Sequence, residues 1–132
     1  GFELPPLSPE SESELRAALP AFATPRNPLD LTTAPVWQPD LMRVGTKALL
    51  DDPAIGSVTI SITMATPQQG VNYLNAILQA LPGNEKPFVL SLLGDRTPLP
   101  PEFVQLAREN RVIISRSAER SLRAMARVTE YG

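Results

Sequence analysis

The chain contains no cysteine and no histidine among its 132 residues. Without cysteine it can form neither a disulfide nor a catalytic thiolate. Without histidine it lacks the commonest general base and metal ligand near neutral pH. A Ser-His-Asp triad, a Cys-His dyad, an ordinary zinc site and a histidine phosphoryl carrier are therefore excluded within this chain.

The chain also lacks a strong charge of either sign and a long apolar run. Its net charge of −2 gives no reason to expect nucleic acid or an anionic membrane as a partner. No apolar run approaches the roughly eighteen residues of a membrane span, and no signal peptide is visible. A composition of 42% hydrophobic and 20% charged residues is typical of a globular protein, and the length predicts one domain over residues 1–132.

Fifteen prolines divide the chain into short elements. Ser8 followed by Pro9 predicts a helix start, because an oxygen-bearing cap precedes a proline at the first helical position. That helix ends by Pro20, and the proline-rich connection over 20–39 allows no long helix. A second helix is predicted over 39–51, and Asp51-Asp52-Pro53 ends it.

Strand-like and helix-like segments alternate from residue 57 onward. Val58–Met64 alternates apolar and small polar residues, Thr66-Pro67 opens a helix that runs to about Leu81, and Phe88–Leu93 is a buried strand. The remaining predicted elements are a helix over 99–109, a strand over Arg111–Ser115 and a helix over 117–130 with Leu122, Met125 and Val128 facing inward. This alternation predicts parallel pairing in a layered α/β domain.

Four segments follow one another in an informative order: Asn27-Pro28-Leu29-Asp30, Asp52-Pro53, Lys86–Leu90 and Ser117–Met125. The order resembles the flavodoxin-like CoA-ligase domain of nucleoside-diphosphate-forming acyl-CoA synthetases. That group contains ADP-forming acetyl-CoA synthetase and relatives of succinyl-CoA synthetase. The resemblance covers essentially the whole chain and implies a three-layer α/β fold with a mostly parallel, flavodoxin-like sheet.

The family's opening strand and its Gly-Gly turn do not occur in this sequence, which has no Gly-Gly pair. The resemblance therefore implies a domain truncated at the N-terminus. The absent strand would lie between Phe2–Leu7 and Val58–Met64. One side of Val58–Met64 would then be an unpaired edge, and we expect another molecule or a rearranged N-terminal segment to cover it.

The resemblance implies a structural, interdomain role in an enzyme that makes acyl-CoA from an acid, CoA and a nucleoside triphosphate through a phosphohistidine. The expected partners are the CoA-binding and ATP-grasp domains, in which CoA, the nucleotide and Mg would bind. No cofactor is expected in this chain, which would be catalytically inert alone, and a cytoplasmic location is implied. The alternative is a regulatory synthetase-like domain of a multidomain lysine acetyltransferase.

Two places near predicted strand or loop ends are candidate binding or interface sites. Asn27, Asp30 and Thr32 could line an interdomain cleft, although Asn and Asp side chains also make ordinary turns. Thr66 could present main-chain N–H groups to an anion, although a helix cap is the simpler explanation.

Gly94, in the segment Gly94-Asp95-Arg96, could contact a ligand or a neighbouring domain, although a plain loop is the simpler explanation. A basic face is formed at helical spacing by Arg116, Arg120, Arg123 and Arg127. It predicts a solvated surface or one docked on another domain, with a phosphate or CoA contact as the alternative. Trp37 is expected to pack over the loop that precedes it. No residue is assigned a catalytic or metal-binding role.

Overall fold

The structure is a computed structural model that describes residues 3–94, 96 and 98–131. Within these residues, six helices and three strands follow one another along the chain. They are α1 (Pro9–Ala18), α2 (Ala34–Trp37), α3 (Asp40–Asp51), β1 (Val58–Ile62), α4 (Pro67–Ala80), β2 (Phe88–Leu92), α5 (Pro101–Glu109), β3 (Ile113–Ser115) and α6 (Ala118–Tyr131). The predicted helices and strands are all present, and most of their ends lie within two residues of the predicted positions.

The three strands form a parallel sheet in the order β1-β2-β3. Val58 pairs with Phe88 and Ile62 with Leu92 along the first ladder. Val89 pairs with Ile113 at the start of the second ladder, which ends at Ser115. The predicted parallel α/β architecture is confirmed.

Helices cover both faces of this sheet, which gives three layers. Alternate apolar residues such as Ile62 and Leu90 face α3, α4 and α5, and they share one core cluster with Phe103 of α5. On the opposite face, the buried Ser91 of β2 donates a hydrogen bond to Ser121 of α6 over 2.7 Å. The three-layer prediction is therefore confirmed, with α6 covering the second face.

Two buried clusters make up the core. The first lies between the sheet and α3, α4 and α5, and it includes Leu74, Ile77, Leu90 and Phe103, all 0% exposed. The second joins α1 and α3 to the start of β1 and includes Leu15, Leu41 and Val58. Leu31, Ile60 and Phe88 pack against both clusters, so the two are continuous.

The third strand begins at Ile113, two residues later than predicted, because α5 ends in a left-handed turn. Arg111 has φ 56°, and Val112 N–H donates to Ala107 C=O over 2.9 Å. These bonds satisfy the last carbonyls of α5 and keep Arg111 out of extended geometry. The helix cap therefore includes Arg111 and Val112, which the sequence pattern had assigned to the strand.

Two of the three predicted inward residues of α6 are largely exposed. Leu122 is 47% and Val128 is 50% exposed, whereas Met125 is 4% exposed. The prediction was wrong for Leu122 and Val128, because the buried side of α6 is a narrow line through Ser121 and Met125. Among the described elements, the main packing partners of α6 are the three strands, which leaves its flanks exposed at Leu122 and Val128.

Residues 3–7 of the amino-terminal segment take no part in the sheet. Residues 3–7 form no strand, Phe2 lies outside the described residues, and Leu7 packs in the second cluster beside Val58. Of the two expected covers for the β1 edge, a rearranged amino-terminal strand is not formed by residues 3–7, and another molecule stays a prediction. Within the described part of the chain, β1 has β2 as its single strand neighbour.

Candidate functional site at the carboxyl edge of the sheet

The loop from Asn27 to Thr32 is anchored to α3 by its apolar residues. A Cβ atom added at Gly45 would lie 3.1 Å from Leu31 Cδ2 and 3.4 Å from Leu29 Cδ2, so both leucines pack closely against the backbone of α3. The absence of a side chain at Gly45 permits this approach. The polar residues of the loop are left on its outer side, where Asp30 and Thr32 are exposed.

The polar side chains of this loop bond to nearby main-chain groups. Asn27 Nδ2 donates to the Pro5 carbonyl over 3.0 Å, and Thr32 N–H donates to Asp30 Oδ1 over 2.7 Å. Thr32 has φ 59°, and its Oγ1 accepts from Ala34 N–H over 3.3 Å. The bonds of Asp30 and Thr32 are local turn and cap chemistry, whereas the Asn27 bond ties the loop to the amino-terminal segment, 22 positions away. A ligand or interface role for these three residues stays a prediction.

Thr66 caps α4. Its Oγ1 accepts from Gln69 N–H over 3.1 Å, and Gln69 Oε1 accepts from Ala65 N–H over 2.8 Å. This reciprocal pair satisfies two donors at the start of the helix, and Pro67 has no N–H to offer. The arrangement favours the cap interpretation of Thr66, because few N–H groups are left for an anion.

Gly94 follows β2 and lies close to the end of β1. Leu93 N–H donates to Ile62 C=O over 2.9 Å, which joins the ends of the two strands. Gly94 itself has φ 98°, a conformation in which glycine carries no steric penalty. The structure therefore brings Gly94 and Thr66 to the same sheet edge, whereas the loop before residue 33 packs on α3. Asp95 lies outside the described residues.

The charged groups near this edge show ordinary surface behaviour. On α6, Arg123 pairs with Glu119 at 2.6 Å, and their side chains are 77% and 72% exposed. Such a pair stabilises the fold little, which is in line with the predicted solvated face. Across residues 3–94, 96 and 98–131, no group of three or more His, Cys, Asp or Glu residues could hold a metal ion.

Trp37 does not pack over the loop, so that expectation was wrong. It is 83% exposed and, together with the 74% exposed Phe22, borders an open cleft of about 330 Å³. The cleft is lined by uncharged residues: Pro20, Phe22, Thr33, Ala34, Trp37 and Gln38. Sequence reasoning missed this surface. The available signal was the lack of helical apolar spacing around a tryptophan within a proline-rich connection.

Comparison with known proteins adds to this geometry. The fold is similar to that of the dinucleotide-forming acetyl-coenzyme A synthetase 1 of Candidatus Korarchaeum cryptofilum, solved in complex with phosphate and ADP. The TM-score is 0.66 at 26% identity, over 95% of this chain and 28% of that one. A curated relative from an unidentified prokaryote, trans-feruloyl-CoA synthase FCS1, is 32% identical over 133 residues. The chain is an acyl-CoA synthetase-like domain.

Other comparisons with the synthetase-like domain agree on the fold. The protein PH0766 from Pyrococcus horikoshii OT3 matches it with a TM-score of 0.73 at 21% identity, over 88% of this chain and 27% of that one. No protein-family model matches the sequence. The match to the feruloyl-CoA synthase covers 98% of the domain but only 19% of that relative. In the described residues, no helix is long and apolar enough to cross a membrane.

Proposed function

We propose that the synthetase-like domain is a structural, interdomain portion of a nucleoside-diphosphate-forming acyl-CoA synthetase. The whole enzyme would convert an acid, CoA and a nucleoside triphosphate into acyl-CoA, a nucleoside diphosphate and phosphate through a phosphohistidine. CoA, the nucleotide and Mg would bind in CoA-binding and ATP-grasp domains outside these residues. The domain by itself would be catalytically inert.

The observation that carries this proposal is the small share of each relative that the domain matches. It corresponds to 19% of the feruloyl-CoA synthase and 28% of the acetyl-coenzyme A synthetase. The relatives therefore contain much more chain, in which their remaining machinery can lie. A phosphohistidine would also have to come from elsewhere, since this sequence contains no histidine.

The candidate site supports a scaffold role as well. Side-chain oxygen or nitrogen atoms at four candidate positions form hydrogen bonds to main-chain groups: Asn27, Asp30, Thr32 and Thr66. Groups held in this way fix loops and helix ends at a constant position. We propose that these loops present a fixed surface to the neighbouring domains.

The open edge of β1 is the second proposed contact. A strand edge with free N–H and C=O groups is a template for pairing with another chain. We propose that a strand from outside residues 3–131 adds to this edge. In a solution of the isolated chain, a second copy is the available partner.

A turnover assay on the isolated chain tests the proposal. The chain would be incubated with CoA, ATP and Mg and with either acetate or trans-ferulate, the acyl groups that the names of the relatives indicate. We expect no acyl-CoA, because the chain supplies no phosphoryl acceptor of the required kind. A full-length relative assayed in parallel shows that the conditions support turnover. Thioester formation by the chain alone would contradict the proposal.

A further inference from the structure

A polar cleft of about 270 Å³ lies at the amino end of β2 and β3, on the sheet edge opposite Thr66 and Gly94. The loop from α4 to β2 and the loop from α5 to β3 form its walls. Lys86 and Arg111 are the charged residues that line it, one from each loop. Two residues with cationic side chains thus line one cleft from different parts of the chain, and no carboxylate lines it among the described residues.

Lys86 is held firmly in its wall. Asn84 Oδ1 accepts from Lys86 N–H and Asn84 Nδ2 donates to Lys86 C=O, each over 2.9 Å. Lys86 Nζ donates to the main-chain carbonyl of Asp52 over 2.6 Å. An ammonium group has three N–H donors, so this bond orients the group and leaves two for a ligand. The described residues include no salt-bridge partner for Lys86.

Arg111 occupies a position that normally favours glycine. It follows the last turn of α5 with φ 56°, and its N–H donates to Arg108 C=O over 3.2 Å. Helices often end with a glycine in this left-handed conformation, because a side chain there is strained. The chain nevertheless places an exposed arginine at this point of the cleft. Among the residues that the structure describes, none forms a salt bridge with it.

We propose that this cleft binds the phosphate or carboxylate group of a small molecule, with Arg111 and Lys86 as the two cationic partners. A guanidinium presents paired N–H donors that match two oxygens of such a group, and the ammonium adds a second charge-assisted bond. The apolar side chains of Leu81, Phe88 and Val112 offer a wall for the carbon portion of the ligand. The inference is independent of the proposed function.

The surrounding charges are compatible with a small anion. Glu85 and Glu109 are sequence neighbours of the cleft residues, but both are exposed and neither lines the cleft. Glu109 instead accepts a hydrogen bond from Gln105 over 2.9 Å. A net charge of −2 makes a long polyanion a poor match for the molecule as a whole. The ligand class is therefore a compact oxyanion.

Nuclear magnetic resonance titration of the whole 132-residue chain tests this binding. Inorganic phosphate and succinate would be added in separate titrations at constant ionic strength, with chloride as the reference. We expect saturable shifts of the main-chain amides in 81–88 and 110–112 with at least one anion, and the tighter anion distinguishes phosphate from carboxylate recognition. Chloride-like, non-saturable shifts with both anions would overturn the proposal.

Arg111→Gly separates a binding role from a structural one. Glycine relieves the backbone strain, so we expect a higher melting temperature together with a dissociation constant about tenfold weaker for the tighter anion. Arg111→Asn, which also tolerates this conformation, should weaken binding equally. Arg108→Ala removes the same charge from an exposed helix position and should leave binding unchanged. Equal affinity in Arg111→Gly and Arg108→Ala, or a lower melting temperature of Arg111→Gly, would overturn the assignment.

Discussion

Asp52 joins three parts of the molecule at a single buried residue. It is 1% exposed, and its carboxylate accepts from Ser8 N–H over 2.8 Å and from Ala54 N–H over 2.9 Å. Its own carbonyl accepts from Lys86 Nζ over 2.6 Å. The start of α1, the end of α3 and the loop before β2 are thus fixed relative to one another.

The carboxyl group of Asp52 depends on pH in a definite direction. Burial raises the pKa of Asp52, but hydrogen bonds from Ser8, Ala54 and Ser11, chiefly the main-chain bonds of the first two, outweigh burial and hold the pKa below its ordinary range. A carboxyl group whose pKa is lower in the folded state stabilises the fold at neutral pH. This contribution disappears as the pH falls through the unfolded and then the folded pKa.

Asp52→Asn should therefore destabilise the domain in a pH-dependent way. At pH 7 we expect a loss of about 1–3 kcal/mol in the free energy of unfolding, because two main-chain donors lose a charged acceptor. The difference in the free energy of unfolding between this variant and the natural chain should become smaller below about pH 4. Urea denaturation across this pH range measures both effects.

Asp51→Asn is the matched control for this experiment. Asp51 is the next residue, its side chain is 59% exposed, and it pairs with Lys47 at 2.8 Å on the helix surface. Loss of this ion pair should lower the free energy of unfolding by about 0.5 kcal/mol or less. An equal decrease in the free energy of unfolding of the two variants would show that burial and main-chain hydrogen bonding at Asp52 add no stability.

The sequence indicated Asp51-Asp52-Pro53 only as the end of a helix, and that interpretation is correct as far as it goes. It could not distinguish the exposed carboxylate from the buried one. The partners Ser8 and Lys86 lie 44 and 34 positions away along the chain. By contrast, the Ser8 and Thr66 caps depend on groups three residues away, and both were predicted.

At the scale of elements, proline and cap signals located the helices well, whereas strand ends depended on tertiary contacts. The predicted strand to Met64 ends at Ile62. Met64 instead packs over α4, where an added Cβ on Gly70 would overlap Met64 Sδ. A side chain at position 70 would displace this methionine. Only the structure shows why a glycine lies there in the helix.

The edge of β1 can be described atom by atom. Val58 N–H donates to Pro87 C=O, and Ile62 C=O accepts from Leu93 N–H, each over 2.9 Å. In a parallel strand, successive residues direct their main-chain groups to opposite sides. Thr59 and Ser61 therefore direct their N–H and C=O groups toward the open edge.

Ser61→Pro should block pairing at this edge without breaking the β1–β2 ladder. Proline removes one N–H on the open side, where an edge strand tolerates it. Sedimentation equilibrium should show the natural chain approaching dimer mass as its concentration rises, while Ser61→Pro stays monomeric. Ser61→Thr keeps the N–H and should behave like the natural chain. A natural chain that is monomeric at every concentration would refute self-association through β1.

At the scale of the whole molecule, the two core clusters behave as one. Leu31, Ile60 and Phe88 contact both, so neither cluster can be exposed without disturbing the other. Leu31 belongs to the same loop as Asn27 and Asp30. The candidate interface loop is thus tied to the global stability of the domain.

Unfolding should accordingly be a single cooperative transition. Tyr73 is 7% exposed in the first cluster, and burial raises the pKa of its phenol. In a Tyr131→Phe variant, Tyr73 is the remaining tyrosine and reports on that cluster, whereas Tyr131 is 90% exposed. Far-ultraviolet circular dichroism and the Tyr73 signal should give the same urea midpoint. Separate midpoints would show that the clusters unfold independently.

The sequence by itself determined the α/β class, the parallel order of the elements, the caps and the resemblance to acyl-CoA synthetase domains. These follow from residue spacing and from groups a few positions apart, for which local chemistry suffices. The tertiary structure alone decided which carboxylate is buried at Asp52, that Trp37 is exposed, and that Lys86 and Arg111 face one cleft. Those facts depend on contacts between distant segments, and the sequence pattern is the same whichever segment provides the partner.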